Sequence, residues 1–158
     1  MRIAILTISD SAYRGRRTDL SGPALRARCV ELGWQVVAAE IVNDETTLSE
    51  AFLIACADAQ QADIILTTGG TGLGPRDVTP EATIAVCARL IPGIGELMRA
   101  AGQGSSPHAA LSRAVAGVRG QSIVVNLPGS PKGAVESLDA VAALLPHAVE
   151  VVRGAGHD

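Results

Sequence analysis

The chain has 158 residues, a net charge of −3 and a single Trp, Tyr and Phe, and its length suits one domain, residues 1–158, with a core that needs no disulfide or metal staple. So few rings leave no base-stacking platform, and mild negative charge leaves no electrostatic footprint for nucleic acid. Apolar runs of strand length, with no basic-then-apolar leader at the start, also speak against a membrane role.

In chain order, Arg2 to Ile8 reads as a strand. Leu25, Cys29 and Leu32 then recur at helical spacing behind Ser21 and Pro23, and Gly33 stops that helix. Trp34 to Val42 is a second strand. Thr47 with Glu50 spells a capping box over a helix expected to bury Leu48, Ala51, Phe52 and Ala55. Asp63 to Thr68 is the third strand, an apolar run of the kind buried in parallel sheets. A helix after Pro80 carries Ile84, Cys87 and Ile91 on one face and ends before Pro92-Gly93. Another follows from Ile94 to about Ala101, then a glycine- and serine-rich loop from Gly102 to Pro107. Ala114–Val118 and Ser122–Leu127 flank Arg119-Gly120-Gln121 as an antiparallel hairpin. Ser130 and Pro131 open the last helix, with a bend expected at Pro146.

This alternation predicts an α/β fold, a three-layer α/β/α sandwich with a mostly parallel sheet and one antiparallel strand or hairpin. Functional groups then gather at the carboxyl ends of the strands. Those ends are Ser9-Asp10, Asn43-Asp44, Gly69 to Gly72 and Asn126 to Ser130, so four separated motifs are expected on one edge. Cys29, Cys56 and Cys87 are odd in number and lack metal-ligand spacing. They read as small core residues in a reducing compartment, which points to the cytosol.

The most informative stretch runs from Ile64 to Glu81. Gly69, Gly70, Gly72 and Gly74 follow the third strand and allow a sharp turn with close approach to a ligand. Thr79 is a good N-cap and Pro80 suits a first helical turn. Strand, glycine loop and helix start form a phosphate-holding arrangement. The loop matches neither the P-loop spacing nor the dinucleotide fingerprint. Asp77, just before the helix, would repel a phosphate unless a divalent cation bridged the two; a turn or capping role is the plainer alternative.

Thr68-Gly69-Gly70-Thr71-Gly72 followed by Arg76-Asp77-Val78-Thr79-Pro80-Glu81-Ala82 resembles the signature of the molybdopterin adenylyltransferases, the MogA/MoaB-like proteins of molybdenum cofactor synthesis. The likeness extends to Thr7-Ile8-Ser9-Asp10, Asp44-Glu45, Leu111-Ser112-Arg113 and Asn126-Leu127-Pro128-Gly129-Ser130-Pro131-Lys132, in the same order. The spelling Arg-Asp-Val-Thr-Pro is closer to the adenylyltransferase branch than to its less active MoaB-type relatives.

The resemblance implies adenylyl transfer from MgATP to the terminal phosphate of molybdopterin, with pyrophosphate released. It also implies a homotrimer and a molybdenum insertase as downstream partner. On it, Asp44 and Asp77 are the catalytic aspartates and the holders of Mg²⁺. Gly69, Gly70, Thr71 and Gly72 would offer backbone N–H groups and a hydroxyl to phosphate oxygens. Asn126, Pro128, Gly129 and Ser130 would meet the nucleotide or the pterin, and Ser130 is a helix cap as well. Ser9 and Asp10 match the first binding loop, though Asp10 could simply end a strand. Ser112 and Arg113 follow the flexible loop; Arg113 either grips a phosphate or is an exposed residue at a helix end. Arg76 is a second anion ligand or a salt-bridge partner of Asp77.

Two other functions stay open. A CinA-like nucleotide pyrophosphatase carries a similar glycine loop, but its usual Gly-Leu-Gly-Pro-Thr is replaced here by Gly72-Leu73-Gly74-Pro75-Arg76. A MoaB-like module could instead hold molybdopterin with little turnover.

Overall fold

The computed structural model describes residues Met1–Ala155. Its sheet has six strands: β1 (Arg2–Ile8), β2 (Gln35–Val42), β3 (Ile64–Thr68), β4 (Arg89–Leu90), β5 (Ala116–Arg119) and β6 (Ser122–Leu127). They lie in the order β2-β1-β3-β6-β5-β4. The first four in that order are parallel, and β5 runs antiparallel to both β6 and β4. The helices are α1 (Asp10–Tyr13), α2 (Ser21–Glu31), α3 (Thr46–Asp58), α4 (Thr79–Val86), α5 (Pro92–Gly102), α6 (Pro131–Val141) and α7 (Leu145–Val152), with a 3-10 turn over Pro107–Leu111.

Alternate residues of the parallel strands feed two separate cores, which makes the molecule three-layered. Ile3, Ile5, Ile64, Leu66, Ile123 and Val125 point to the side where α2, α5, α6 and α7 bury Leu25, Cys29, Ile94, Met98, Leu138 and Leu145. Ala4, Leu6, Ile8, Ile65 and Val124 point to the other, where α3 and α4 bury Phe52, Leu53, Cys56 and Val86. The three-layer α/β/α expectation therefore holds, with the hairpin β5–β6 in place and β4 added at the edge.

Local readings fared less evenly. The capping box is absent: α3 starts at Thr46 behind Glu45, and no side chain caps it. Its buried stripe is Ser49, Phe52, Leu53 and Cys56, one residue out of phase with the expected set. Both stripes have helical spacing, so periodicity alone does not choose between them. The tight turn in which Glu45 N–H donates to Asn43 O at 2.8 Å sets the phase. The helix after Pro80 stops at Val86, not at Ile91, because the chain beyond becomes β4. Ala88 N–H donates to Val118 O and Ile91 N–H to Ala116 O, so Ile84 is left exposed. Val78, not Thr79, takes the cap position, and Thr79 is the first helical residue. The last helix is broken rather than bent: residues 142–144 separate α6 from α7, and Pro146 sits in the first turn of α7, where a missing N–H costs nothing.

β1 leads outward to β2, whereas β3 leads the other way to β6. The crevice between the carboxyl ends of β1 and β3 is thus the point where strand order reverses, the usual place for a ligand in an open α/β sheet.

Candidate active site

At that crevice the backbone itself is packed tightly. Gly69 has φ +98°, and a Cβ there would lie 2.2 Å from the carbonyl oxygen of Ile8. Only glycine lets the loop after β3 pass the end of β1. Gly70, at φ +65°, sits against the Thr79 hydroxyl, where a Cβ would come within 2.2 Å of the oxygen. That hydroxyl donates to Gly69 O at 2.8 Å. The loop after β6 is bound to the same place: Thr68 Oγ1 donates to Pro128 O at 2.7 Å, and Gly69 N–H donates to Leu127 O at 3.2 Å. A Cβ on Gly129 would stand 3.3 Å from Gly69 Cα.

Two cavities open around this junction. The larger, of about 710 Å³, is lined by Gly70, Thr71, Gly72, Leu73 and Asp77 on one side and by Pro128, Gly129, Ser130 and Lys132 on another. Met98, Arg99, Ser105, His108, Ser112 and Glu136 are also in its wall. The smaller, of about 310 Å³, is lined by Thr7, Ser9, Arg17, Asp19, Ser21, Thr68, Gly69 and Pro131. Gly129 and Ser130 border both. The N–H groups of Gly70, Thr71 and Gly72 donate to no acceptor among the described residues, which leaves them for a ligand's oxygens.

Asp77 and Asp44 reach the loop from opposite sides. Asp77 Oδ2 accepts from Gly74 N–H at 2.8 Å and lies beside Gly72. Asp44 Oδ2 accepts from Asp10 N–H at 2.7 Å, and Asp10 Oδ1 accepts in return from Asp44 N–H at 3.1 Å. Asp44 Oδ1 faces Gly70. Burial pushes the Asp44 carboxyl above its ordinary range, and the charges of Asp10 and Asp77 push the same way. Each of Asp44 and Asp77 keeps one carboxylate oxygen outside these hydrogen bonds, and their mutual repulsion is what a cation would relieve. Among the described residues no group of three His, Cys, Asp or Glu could enclose a metal ion. Two carboxylates are the donor set that Mg²⁺, typically held by one or two carboxylates plus substrate phosphates, would need from the protein.

The arginines are placed otherwise than the sequence suggests. Arg76 pairs with Asp10, not Asp77: its Nε and Nη2 fork onto the two carboxylate oxygens at 2.8 and 2.7 Å. That fork holds the Asp10 carboxyl below the usual carboxylate range. Arg113 faces inward along the loop. Its Nε donates to Gly72 O at 2.8 Å, its Nη2 to Asp77 O at 2.5 Å and its Nη1 to Glu81 Oε1 at 2.5 Å. It braces the glycine loop onto the first turn of α4, a role that the sequence reading did not anticipate.

Asn126, expected to meet the nucleotide or the pterin, lines neither cavity. It is fully buried, with Nδ2 donating to Thr67 Oγ1 and Thr83 Oγ1 and Oδ1 accepting from Val115 N–H. It lies beneath the site, stitching β3, α4 and the start of β5. Pro128, Gly129, Ser130 and Ser112 do line the larger cavity, and Ser9 lines the smaller. Ser130 caps α6 through Gly133 N–H as expected. Lys132, Arg99, Ser105 and His108 are cavity residues that the sequence reading passed over. Lys132 alone carried a signal, as the end of the quoted Asn126–Lys132 motif.

Comparison with known proteins shows the family. The family model described as a probable molybdopterin binding domain matches residues 4–147. A molybdopterin adenylyltransferase of Helicobacter pylori is 44% identical over 156 residues, which span 98% of this chain and 89% of that one. The molybdopterin adenylyltransferase of Escherichia coli K12 is 40% identical over 143 residues, 89% of this chain and 73% of that one. A crystal structure of the molybdopterin biosynthesis enzyme MoaB from Thermus thermophilus superposes with a TM-score of 0.91 at 51% identity, covering 97% of this chain and 96% of that one.

Proposed function

The chain belongs to the molybdopterin-binding domain family, and from that premise we propose that it transfers the adenylyl group of MgATP to the terminal phosphate of molybdopterin. The observation that carries this reading is the meeting, in one cavity, of the open N–H groups of Gly70 to Gly72, the Asp77 carboxylate and the Pro128–Ser130 turn. A pterin phosphate oxygen attacks the α-phosphorus of ATP. The new P–O bond forms as the bond from the α-phosphorus to the bridging oxygen of the β-phosphate breaks, and pyrophosphate leaves.

The nucleophile arrives with the substrate, so the protein needs no covalent intermediate; its work is alignment and charge stabilisation. The glycine-loop amides hold phosphate oxygens in a fixed orientation. Asp44 and Asp77 would hold Mg²⁺, which when bound would supply positive charge for the phosphates. Arg113, through Gly72 O and Asp77 O, keeps that loop in shape. Arg76 steadies Asp10, and Asp10 in turn steadies Asp44. By the same reading the protein works in the cytosol as a homotrimer and delivers its product to a molybdenum insertase. No helix among the described residues is long and apolar enough to cross a membrane.

The test is pyrophosphate release from MgATP, with and without molybdopterin, by the wild type and by Asp77→Asn. Asparagine keeps an oxygen for Gly74 N–H, so the fold should survive while molybdopterin-dependent release falls by about a hundred-fold or more. Near-full activity of Asp77→Asn would remove the metal role. Pterin binding without any release would reduce the protein to a binding module, and ADP-ribose cleavage without pterin would make it a pyrophosphatase.

A further inference from the structure

The substrates of this reaction are polyanions, yet the two arginines beside the glycine loop are already engaged. Arg113 is held by Glu81 and two carbonyls, and Arg76 by Asp10. In the wall of the larger cavity Arg99 turns its Nη1 to Ser112 O and Ala114 O, at 3.2 and 3.0 Å. Lys132 is different. Its side chain is 78% exposed, and its one ion pair is a loose contact of 3.6 Å with Glu136 Oε1, one turn further along α6. The same carboxylate oxygen accepts from Ser105 Oγ at 2.9 Å, so Glu136 keeps a partner if the ammonium leaves.

We propose that Lys132 is the cation that grips the substrate's phosphate in the larger cavity, with Glu136 as its resting partner. A lysine ammonium is a compact charge on a flexible stem, able to exchange a distant carboxylate for a phosphate oxygen at hydrogen-bond distance. It stands two residues beyond Ser130, on a cavity shared with the open N–H groups of Gly70 to Gly72. The ligand chemistry is a phosphate ester or anhydride, borne by the nucleotide or by the pterin. The identity of that anion rests on the function proposed above; the grip itself does not.

The experiment is calorimetric titration of the full chain with ATP, AMP, adenosine, inorganic pyrophosphate, and a pterin alkyl phosphate with its alcohol. The proteins are the wild type, Lys132→Ala, Lys132→Gln and Lys132→Arg, each checked for an unchanged melting temperature. Lys132→Ala and Lys132→Gln should weaken the phosphate-bearing probes by about ten- to a hundred-fold and leave adenosine and the pterin alcohol unmoved. Lys132→Arg should restore most of the loss. Which family of phosphates responds tells whether the grip serves the nucleotide or the pterin.

Equal loss for charged and uncharged probes, or no loss at all, would overturn the proposal. Binding of ATP and of the pterin phosphate that both ignore Lys132 would sink the grip and leave adenylyl transfer standing. Lysine-dependent pyrophosphate binding without ATP binding does the reverse.

Discussion

Asn126 belongs to the Asn126–Lys132 motif, yet its side chain faces the interior and lines neither cavity. Its amide joins two threonine hydroxyls and a backbone N–H in a fully buried pocket. Asn126→Ala strands those groups without water, at a cost of about 2 kcal/mol. The melting temperature should drop by about 6 °C, while KM for ATP, measured well below the melting range, stays at the wild-type value. A raised KM with unchanged melting would return Asn126 to the ligand. From sequence the residue read as a ligand because polar residues at a strand's carboxyl end commonly are. Only the β3–β6 pairing of Thr67 with Asn126 reveals that the side chain points into the molecule. Asp77 stood out because a carboxylate between a glycine loop and a helix start has few uses, and the structure sets it on the larger cavity. The bracing role of Arg113 was not legible, since the carbonyls it binds lie 36 and 41 residues away.

Among the elements, the glycine loop depends on α4 through the Arg113–Glu81 pair. The guanidinium of Arg113 holds the Glu81 carboxyl below its ordinary range. A carboxyl depressed by folding adds stability above its unfolded pKa, and that increment disappears as pH falls through the lower folded value. Acidification below the ordinary glutamate range should therefore lower the wild-type melting temperature more steeply than that of Glu81→Gln, in scans from about pH 7 to about pH 3. Parallel curves would show that the brace contributes nothing. Long strands were readable from hydrophobic spacing, and so was a mostly parallel sheet. The short pieces were not. Two-residue β4 exists only because β5 offers it a partner, and the four-residue α1 because Ser9 Oγ accepts from Ala12 N–H. Such elements are made by tertiary contact, which periodicity does not record.

Across the whole molecule, Arg2 and Arg153, near the two limits of the described residues, meet at Asp63. Its buried carboxylate accepts from Arg2 N–H at 2.6 Å and pairs with Arg153 beyond α7. Asp63→Ala leaves an N–H and a guanidinium without their acceptor, and the half-exposed arginine recovers part of its loss from water. The expected cost is about 2 kcal/mol, or about 6 °C in melting temperature, with pyrophosphate release per folded molecule unaltered; a loss confined to activity would contradict this. At the opposite edge, Gly129 rests on Gly69 with no side chain between them. The two loops thus lose their conformational entropy when the chain folds, and a ligand arriving later has little left to order. The same rigidity removes tolerance. A substrate analogue one methylene too wide at that junction would find walls that do not stretch, so selectivity there follows from shape already set in the empty protein.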